Sequence, residues 1–289
     1  MDFETIESGG LRYVVSRAGE GPDVVLMHGF PDTPYSWAEI ERALVDAGWR
    51  VTVAWLRGYR EETIVAGRGY DPETLGRDAL GLLDAIGASS AVLVGHDWGA
   101  LCAYSAAGLA PERVRALATF GIPHPAVLQR TPSAVWSVRH FFALKLPWAE
   151  RMCRRDDFAY LDRLYRRWSP GWSGPEREQS LDRAKQALSS PATLSGAIGY
   201  YRDLPLGGPP PATARVPQVP GLVVGGAEDL ADVELYKRTA ELLAQPSRAL
   251  IVRGAGHWPH REQAAQVVPE LVEYLRPFAA SGQPGSPSP

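Results

Sequence analysis

The sequence predicts an α/β fold: a mostly parallel central sheet flanked by helices, with one helical insertion. Three observations predict it. Short apolar, β-branched runs alternate with helix-period segments along most of the 289 residues. Glycines and capping residues fall at the junctions, where strand–helix turns need them. The alternation then stops between Gly121-Ile122-Pro123-His124-Pro125 and Arg215, where strand signals are few and aromatics and arginines many. At 45% hydrophobic residues, one large domain with an insertion fits better than two unrelated domains. The expected division is 1–124 and 216–278 for the two parts of the core, 125–215 for a helical cap, and 279–289 for a disordered tail.

Taken in order, Leu11-Arg12-Tyr13-Val14-Val15-Ser16 reads as the first strand and Val24-Val25-Leu26-Met27 as a buried second. Ser36-x-x-Glu39 has capping-box spacing before a helix whose Trp37, Ile40, Leu44 and Ala47 share one face. Arg50-Val51-Thr52-Val53-Ala54 is the next strand. Asp71 is placed to N-cap a helix with Pro72 at its first position, Leu75, Ala79, Leu82 and Ile86 inside, and Gly87 ending it. Ala91-Val92-Leu93-Val94 and Ala116-Leu117-Ala118-Thr119-Phe120 are strands on either side of a small-residue helix. Within the insertion, Tyr165-Arg166-Arg167-Trp168-Ser169-Pro170-Gly171-Trp172 reads as a solvated helix end and turn. The aromatics Trp136, Phe141, Phe142, Trp148, Trp168 and Trp172 read mostly as packing between insertion and core, and the Gly/Pro-rich run 204–211 as a linker. Gly221-Leu222-Val223-Val224 and Ala249-Leu250-Ile251-Val252-Arg253 complete the strands, and a last helix carries Val267, Val268, Leu271, Val272 and Leu275.

Composition narrows the function classes. A net charge near −3 leaves no basic footprint for nucleic acid. No apolar run approaches the roughly 18 residues of a membrane helix. The acidic start Met1-Asp2-Phe3-Glu4-Thr5-Ile6-Glu7 lacks a leader's basic flank, so the expectation is cytoplasmic. Two cysteines, Cys102 in the small-residue helix and Cys153 in an Arg-rich stretch, make no disulfide framework and read as one buried and one incidental thiol. Nothing indicates an oligomeric state.

Chemistry enters at Gly95-His96-Asp97-Trp98-Gly99. A strand, a Gly-x-Asp-x-Gly turn and a helix together form the context of a nucleophile elbow, in which a strained turn holds one side chain out over the sheet. Most elbows present serine; this one presents a carboxylate. A serine attacking an sp3 carbon would give an ether that water does not cleave. A carboxylate gives an ester that a second step can release. Asp97 therefore argues for displacement at carbon, as in epoxide opening or carbon–halogen cleavage; the competing reading is an aspartate that caps the next helix. An acid and a histidine follow in the expected order. Asp229 stands just beyond a strand's carboxyl end, with Glu228 and Asp232 as rivals. His257 follows Gly254-Ala255-Gly256, a loop able to fold back over the elbow, whereas His96 and His260 read as structural. After the second strand, His28-Gly29-Phe30-Pro31 offers a Phe30 amide that, with that of Trp98, suits an oxyanion hole, and Pro31 suits a cis or tight turn.

These motifs, with Arg57-Gly58-Tyr59, resemble the epoxide hydrolase and haloalkane dehalogenase branch of the α/β-hydrolases, over about residues 10–278. The resemblance implies the α/β-hydrolase fold, a small apolar substrate (an epoxide or an organohalide), and no metal or organic cofactor. It also implies two acids in the cap for the leaving oxygen. Tyr201 in Tyr200-Tyr201-Arg202 matches the second cap tyrosine, with packing as the competing role. The first is missing near Phe141-Phe142, where His140 is the available substitute, or else a surface histidine. His28, Pro31, Phe141, Phe142, Tyr200 and Trp258 are the expected pocket residues. Trp55 replaces the usual aspartate before the Arg-Gly pair, and Arg60 a glycine after Tyr59. The phenylalanine of the HGFP motif and Tyr201 favour epoxide opening. Halide displacement, with a Trp98 indole holding the halide, and a ligand-binding relative without catalysis are the alternatives.

Overall fold

The computed structural model describes residues 1–128, 131–205 and 215–279. At its centre is an eight-stranded sheet in the order β1-β2-β4-β3-β5-β6-β7-β8, formed by Glu4–Ser8 (β1), Leu11–Ala18 (β2), Asp23–Met27 (β3), Arg50–Ala54 (β4), Ala91–His96 (β5), Val114–Phe120 (β6), Pro220–Gly226 (β7) and Ala244–Val252 (β8). Strand β2 pairs antiparallel with β1 and β4; all other pairs are parallel. Strands β3 and β5 are buried at every residue, which is why they read as unbroken apolar runs. Successive side chains serve opposite layers. Val25, Leu93 and Leu117 face one core layer, and Val24, Val92 and Ala118 the other.

Most expected elements are present. Helix α2 (Pro72–Ala85) starts where Asp71 accepts the amides of Glu73 and Thr74, and the chain leaves it through Gly87 at φ +73°. It packs closely on α3 (Trp98–Leu109): a Cβ on Gly76 would stand 2.6 Å from Ser105 Cβ. Helices α9 (Val233–Leu242), α10 (Pro259–Glu262) and α11 (Ala264–Ala279) follow β7 and β8. Two local readings differ. Strand β1 was not foreseen; a turn at Gly9 and Gly10, both at positive φ, folds the acidic start back along β2. The Ser36/Glu39 spacing is no capping box. Helix α1 (Ala38–Asp46) has no side-chain cap, the Ser36 hydroxyl donates to Asp32, and Glu39 pairs with Arg261 at 3.3 Å.

Between β6 and β7 lie α4 (Pro132–Ser137), α5 (Arg139–Lys145), α6 (Ala149–Trp168, broken by non-helical residues at 155–158), α7 (Pro175–Ala187) and α8 (Pro191–Arg202). The run 165–172 is not solvated as expected: Tyr165, Trp168 and Trp172 are buried. Arg166 points outward and half-buried Arg167 donates to the Ser137 carbonyl, while the aromatics pack on the core and the Tyr165 hydroxyl donates to the Pro31 carbonyl at 2.9 Å. Conversely, Trp136, Phe142 and Trp148 are exposed rather than packed. Both cysteines are free and buried, so Cys153 is a packing residue too. No described helix is long and apolar enough to cross a membrane. Residues 206–211 of the expected linker, and 280–289 of the expected tail, lie outside the described residues.

Candidate active site

The site is assembled at the carboxyl edge of the parallel strands, where open α/β sheets bind ligands. Asp97 occupies the turn between β5 and α3 at φ 52°, ψ −115°, a conformation that side chains other than glycine rarely adopt. The glycines around it make room. A Cβ on Gly95 would lie 2.2 Å from the Gly99 carbonyl oxygen, one on Gly99 2.2 Å from that of Met27, and one on Gly29 2.4 Å from Asp97 Cβ. The Asp97 amide donates to the Phe120 carbonyl at 3.0 Å, which fixes the turn to β6.

The expected acid and histidine converge on this carboxylate. His257 Nε2 stands 3.5 Å from Asp97 Oδ2, and its Nδ1 lies 3.1 and 3.2 Å from the two oxygens of Asp229. The rivals of Asp229 are accounted for: Asp232 caps α9 through the Glu234 amide, and Glu228 lies exposed in the loop. The Phe30 amide, beside a cis Phe30–Pro31 bond, donates to Asp97 Oδ1 at 2.8 Å. The amide of Trp98 is the first of α3. Burial alone would lower the His257 pKa, but the carboxylates of Asp229 and Asp97 outweigh it and raise it to about 10. Burial opposes ionisation of Asp97, yet His257 holds its pKa below the usual carboxylate value.

Tyr201 is fully buried on α8. Its ring packs against Phe30, Trp98 and Phe141 at centroid distances of 5.2, 5.1 and 5.1 Å, and its hydroxyl has no hydrogen-bond partner among the described residues. Burial, and then the Asp97 charge, lift its pKa well above the tyrosine range. His140 is buried 5.9 Å from the Tyr201 ring, so it is not a surface histidine. Burial lowers its pKa to about 3, leaving a neutral imidazole.

Three expected pocket residues are otherwise engaged, and a fourth is exposed. The His28 Nδ1–H donates to the Gly29 carbonyl and its Nε2 accepts the Leu56 amide, so it braces its own loop. The Tyr200 hydroxyl donates to the Arg57 carbonyl at 2.7 Å. Trp258 is stacked on Tyr165 at 4.3 Å. Phe142 is 50% exposed, since one residue along a helix turns a side chain about 100° away from its neighbour Phe141. The loop departures also find their places: Trp55 packs with Phe3, Tyr35 and His28, and Arg60 pairs with Glu62 at 3.1 Å.

Other supporting residues carry no sequence signal of their own. Tyr236 donates to Asp229 Oδ2 at 2.7 Å. Ser169 Oγ accepts the His257 amide at 2.9 Å and donates to Glu262 at 2.6 Å, while Glu262 also accepts the amides of Gly256 and Trp258. Chemically, the arrangement is a buried carboxylate with a donor on one oxygen and a carboxylate-backed imidazole facing the other.

Comparison with known proteins gives the family and agrees with the fold. Residues 22–264 match the family described as alpha/beta hydrolase fold. The chain is 30% identical to Epoxide hydrolase A of Mycobacterium tuberculosis, over 93% of this chain and 96% of the relative. It is 31% identical to Epoxide hydrolase 4 of Mus musculus, over 94% and 77%. The crystal structure of Epoxide Hydrolase A from Mycobacterium thermoresistibile superposes with a TM-score of 0.76 at 28% identity, covering 95% of this chain and 98% of that one.

Proposed function

This chain belongs to the α/β-hydrolase family, among the hydrolases of its epoxide hydrolase branch, and from that premise we propose that it opens an epoxide to a vicinal diol through an ester on Asp97. One observation carries the reading: the elbow carboxylate is held between the Phe30 amide and His257. Because Oδ1 is already bound by that amide, Oδ2 forms the bond to the epoxide carbon. The ring oxygen leaves as an alkoxide and takes the Tyr201 proton, with a hydrogen bond from neutral His140. Helices α4–α8, in the segment 125–215, act as the cap that excludes water from this step.

The raised pKa values of His257 and Tyr201 complete the cycle. At rest His257 is an imidazolium paired with two carboxylates, which its pKa near 10 implies. Esterification removes one of those charges, and the strongly basic Tyr201 phenolate takes up the imidazolium proton. Neutral His257, oriented by Asp229, then deprotonates a water that attacks the Asp97 carbonyl carbon. The oxyanion rests on the Phe30 and Trp98 amides. The intermediate then collapses by breaking the bond between the Asp97 carbonyl carbon and the alkoxy oxygen, which takes the proton of the added hydroxyl. The diol leaves with Asp97 again a carboxylate and His257 an imidazolium.

A single turnover in oxygen-18 water tests this. Label is expected in the Asp97 carboxylate, with unlabelled diol released; label in the diol with Asp97 unlabelled overturns the ester. The indole of Trp98, 5.1 Å from the Tyr201 ring, keeps halide displacement as the second reading. Chloride release from haloalkanes faster than epoxide opening selects it. A binding protein without catalysis does not fit relatives that are hydrolases.

A further inference from the structure

Directly behind the elbow lies a second cluster that the reaction does not use. Asp32, His96 and His260 are 2%, 0% and 1% exposed, and one ligand atom from each lies within 4.8 Å of the others. Their hydrogen bonding fixes where the lone pairs point. His96 Nε2 meets the His257 carbonyl at 2.9 Å; a carbonyl only accepts, so this nitrogen carries the proton and donates. His96 Nδ1 is left bare, 3.6 Å from Asp32 Oδ2, too far for a hydrogen bond. Asp32 Oδ1 is taken by the Thr33 amide and the Ser36 hydroxyl, which aims Oδ2 inward. His260, stacked on Trp37, has no partner on either nitrogen among the described residues.

Two acceptors facing each other in a buried space repel unless something positive lies between them. We propose that Asp32, His96 and His260 form a structural site for a divalent cation of the zinc type. Two imidazoles and a carboxylate are a donor set that zinc takes with a water as fourth ligand, so three protein donors and one water would complete the tetrahedron here. A metal-binding histidine commonly donates its second nitrogen to a backbone carbonyl, and His96 does so. Ligand bonds of about 2.0–2.2 Å put donors in a tetrahedron roughly 3.4 Å apart. The Asp32–His96 pair, at 3.6 Å, is already near that spacing, and His260 closes in by up to about 1.4 Å from a spread within 4.8 Å.

The consequence concerns the three segments that such an ion would join. Asp32 is two residues after Phe30, His96 immediately precedes Asp97, and His260 is three residues after His257. The cation ties together the backbones that carry the oxyanion donor, the nucleophile and the base. It acts from beneath, without touching substrate.

Protein produced in zinc-supplemented medium and dialysed against chelator is expected to hold about one zinc per chain by elemental analysis. His260→Gln and Asp32→Asn are each expected to lower that content at least tenfold and to abolish the rise in Tm on refolding with zinc. Wild type holding less than a tenth of a zinc per chain overturns the site, as do variants that keep the wild-type content. If neither variant folds, cobalt-loaded wild type decides: the Trp37 indole resonance should show paramagnetic broadening, and an unbroadened Trp37 signal overturns the proposal.

Discussion

The backbone at Asp97 is strained, and the residues around it leave that strain nowhere to relax: glycines on both sides touch neighbouring backbone, and Phe120 holds its amide. The turn thereby fixes the direction in which the side chain projects. Since His257 acts only on the ester, His257→Gln is expected to react with epoxide and then stall, with a covalent adduct at Asp97 in intact-mass spectra; normal turnover would remove His257 from the mechanism. Tyr201 belongs to the first step. General acid assistance is worth about 10²–10⁴ in rate, so Tyr201→Phe should slow single-turnover alkylation by about that factor, while hydrolysis of a formed ester, which uses Tyr201 only to receive the His257 proton beforehand, should slow less. His140→Ala should deepen the same defect, and an unchanged alkylation rate in Tyr201→Phe would exclude its role. Asp97, Asp229 and His257 were legible in the sequence because each follows a strand and stands in a glycine-rich turn, a local constraint that spacing reveals. Tyr236 and Glu262 were not, because each acts across space on a partner and leaves no local pattern.

At the scale of elements, the end of α6 is where sequence reading failed most instructively. A segment of two arginines between aromatics looks solvated, yet a helix divides such a run by face. Tyr165 and Trp168 turn inward, Trp168 packs 5.0 Å from the His257 ring, and Arg166 pairs at the surface with Asp162. Periodicity could locate the helix but not its tertiary partner. The segment that follows α6 holds the His257 loop directly through Ser169, which bridges the His257 amide and Glu262. Ser169→Ala should therefore cost about 1 kcal/mol in stability, the net worth of a typical hydrogen bond. Its larger effect should fall on one step: ester hydrolysis, which needs a well-placed His257, should slow about tenfold, since small misplacements of catalytic groups carry such costs. Alkylation, which needs Asp97 and Tyr201, should change little. Stopped-flow separation of the two phases is the measurement, and equal slowing of both would mean that Ser169 serves the whole site rather than the histidine loop.

For the whole molecule, the parallel sheet was readable because β3, β5 and β7 are buried on both faces, which leaves continuous apolar runs bounded by turns. The β1 hairpin was not, because an edge strand reading Glu-Thr-Ile-Glu-Ser, with Ile6 its single apolar residue, differs little from a polar terminus. The same architecture, which brings two carboxylates to one buried histidine, couples the site to global stability. His257 has a folded pKa near 10 against an ordinary value of 6.5. The folded state therefore binds its proton more tightly than the unfolded chain does. That contribution is fully present below pH 6.5 and is lost as pH rises towards 10. Wild-type Tm should accordingly fall between about pH 6.5 and 10, and the fall should be shallower in His257→Gln. Buried tyrosines such as Tyr104, whose pKa lies above the ordinary 10, act in the same direction but only at pH values above this window. Asp97→Asn supplies the decisive comparison: it removes one of the two carboxylates that raise His257, so its decline should still begin near pH 6.5 but end at a lower pH and be smaller in total than in wild type. Parallel Tm profiles for wild type, His257→Gln and Asp97→Asn would show that His257 does not carry its proton between these carboxylates, and the resting charge state assigned to the site would fall with it.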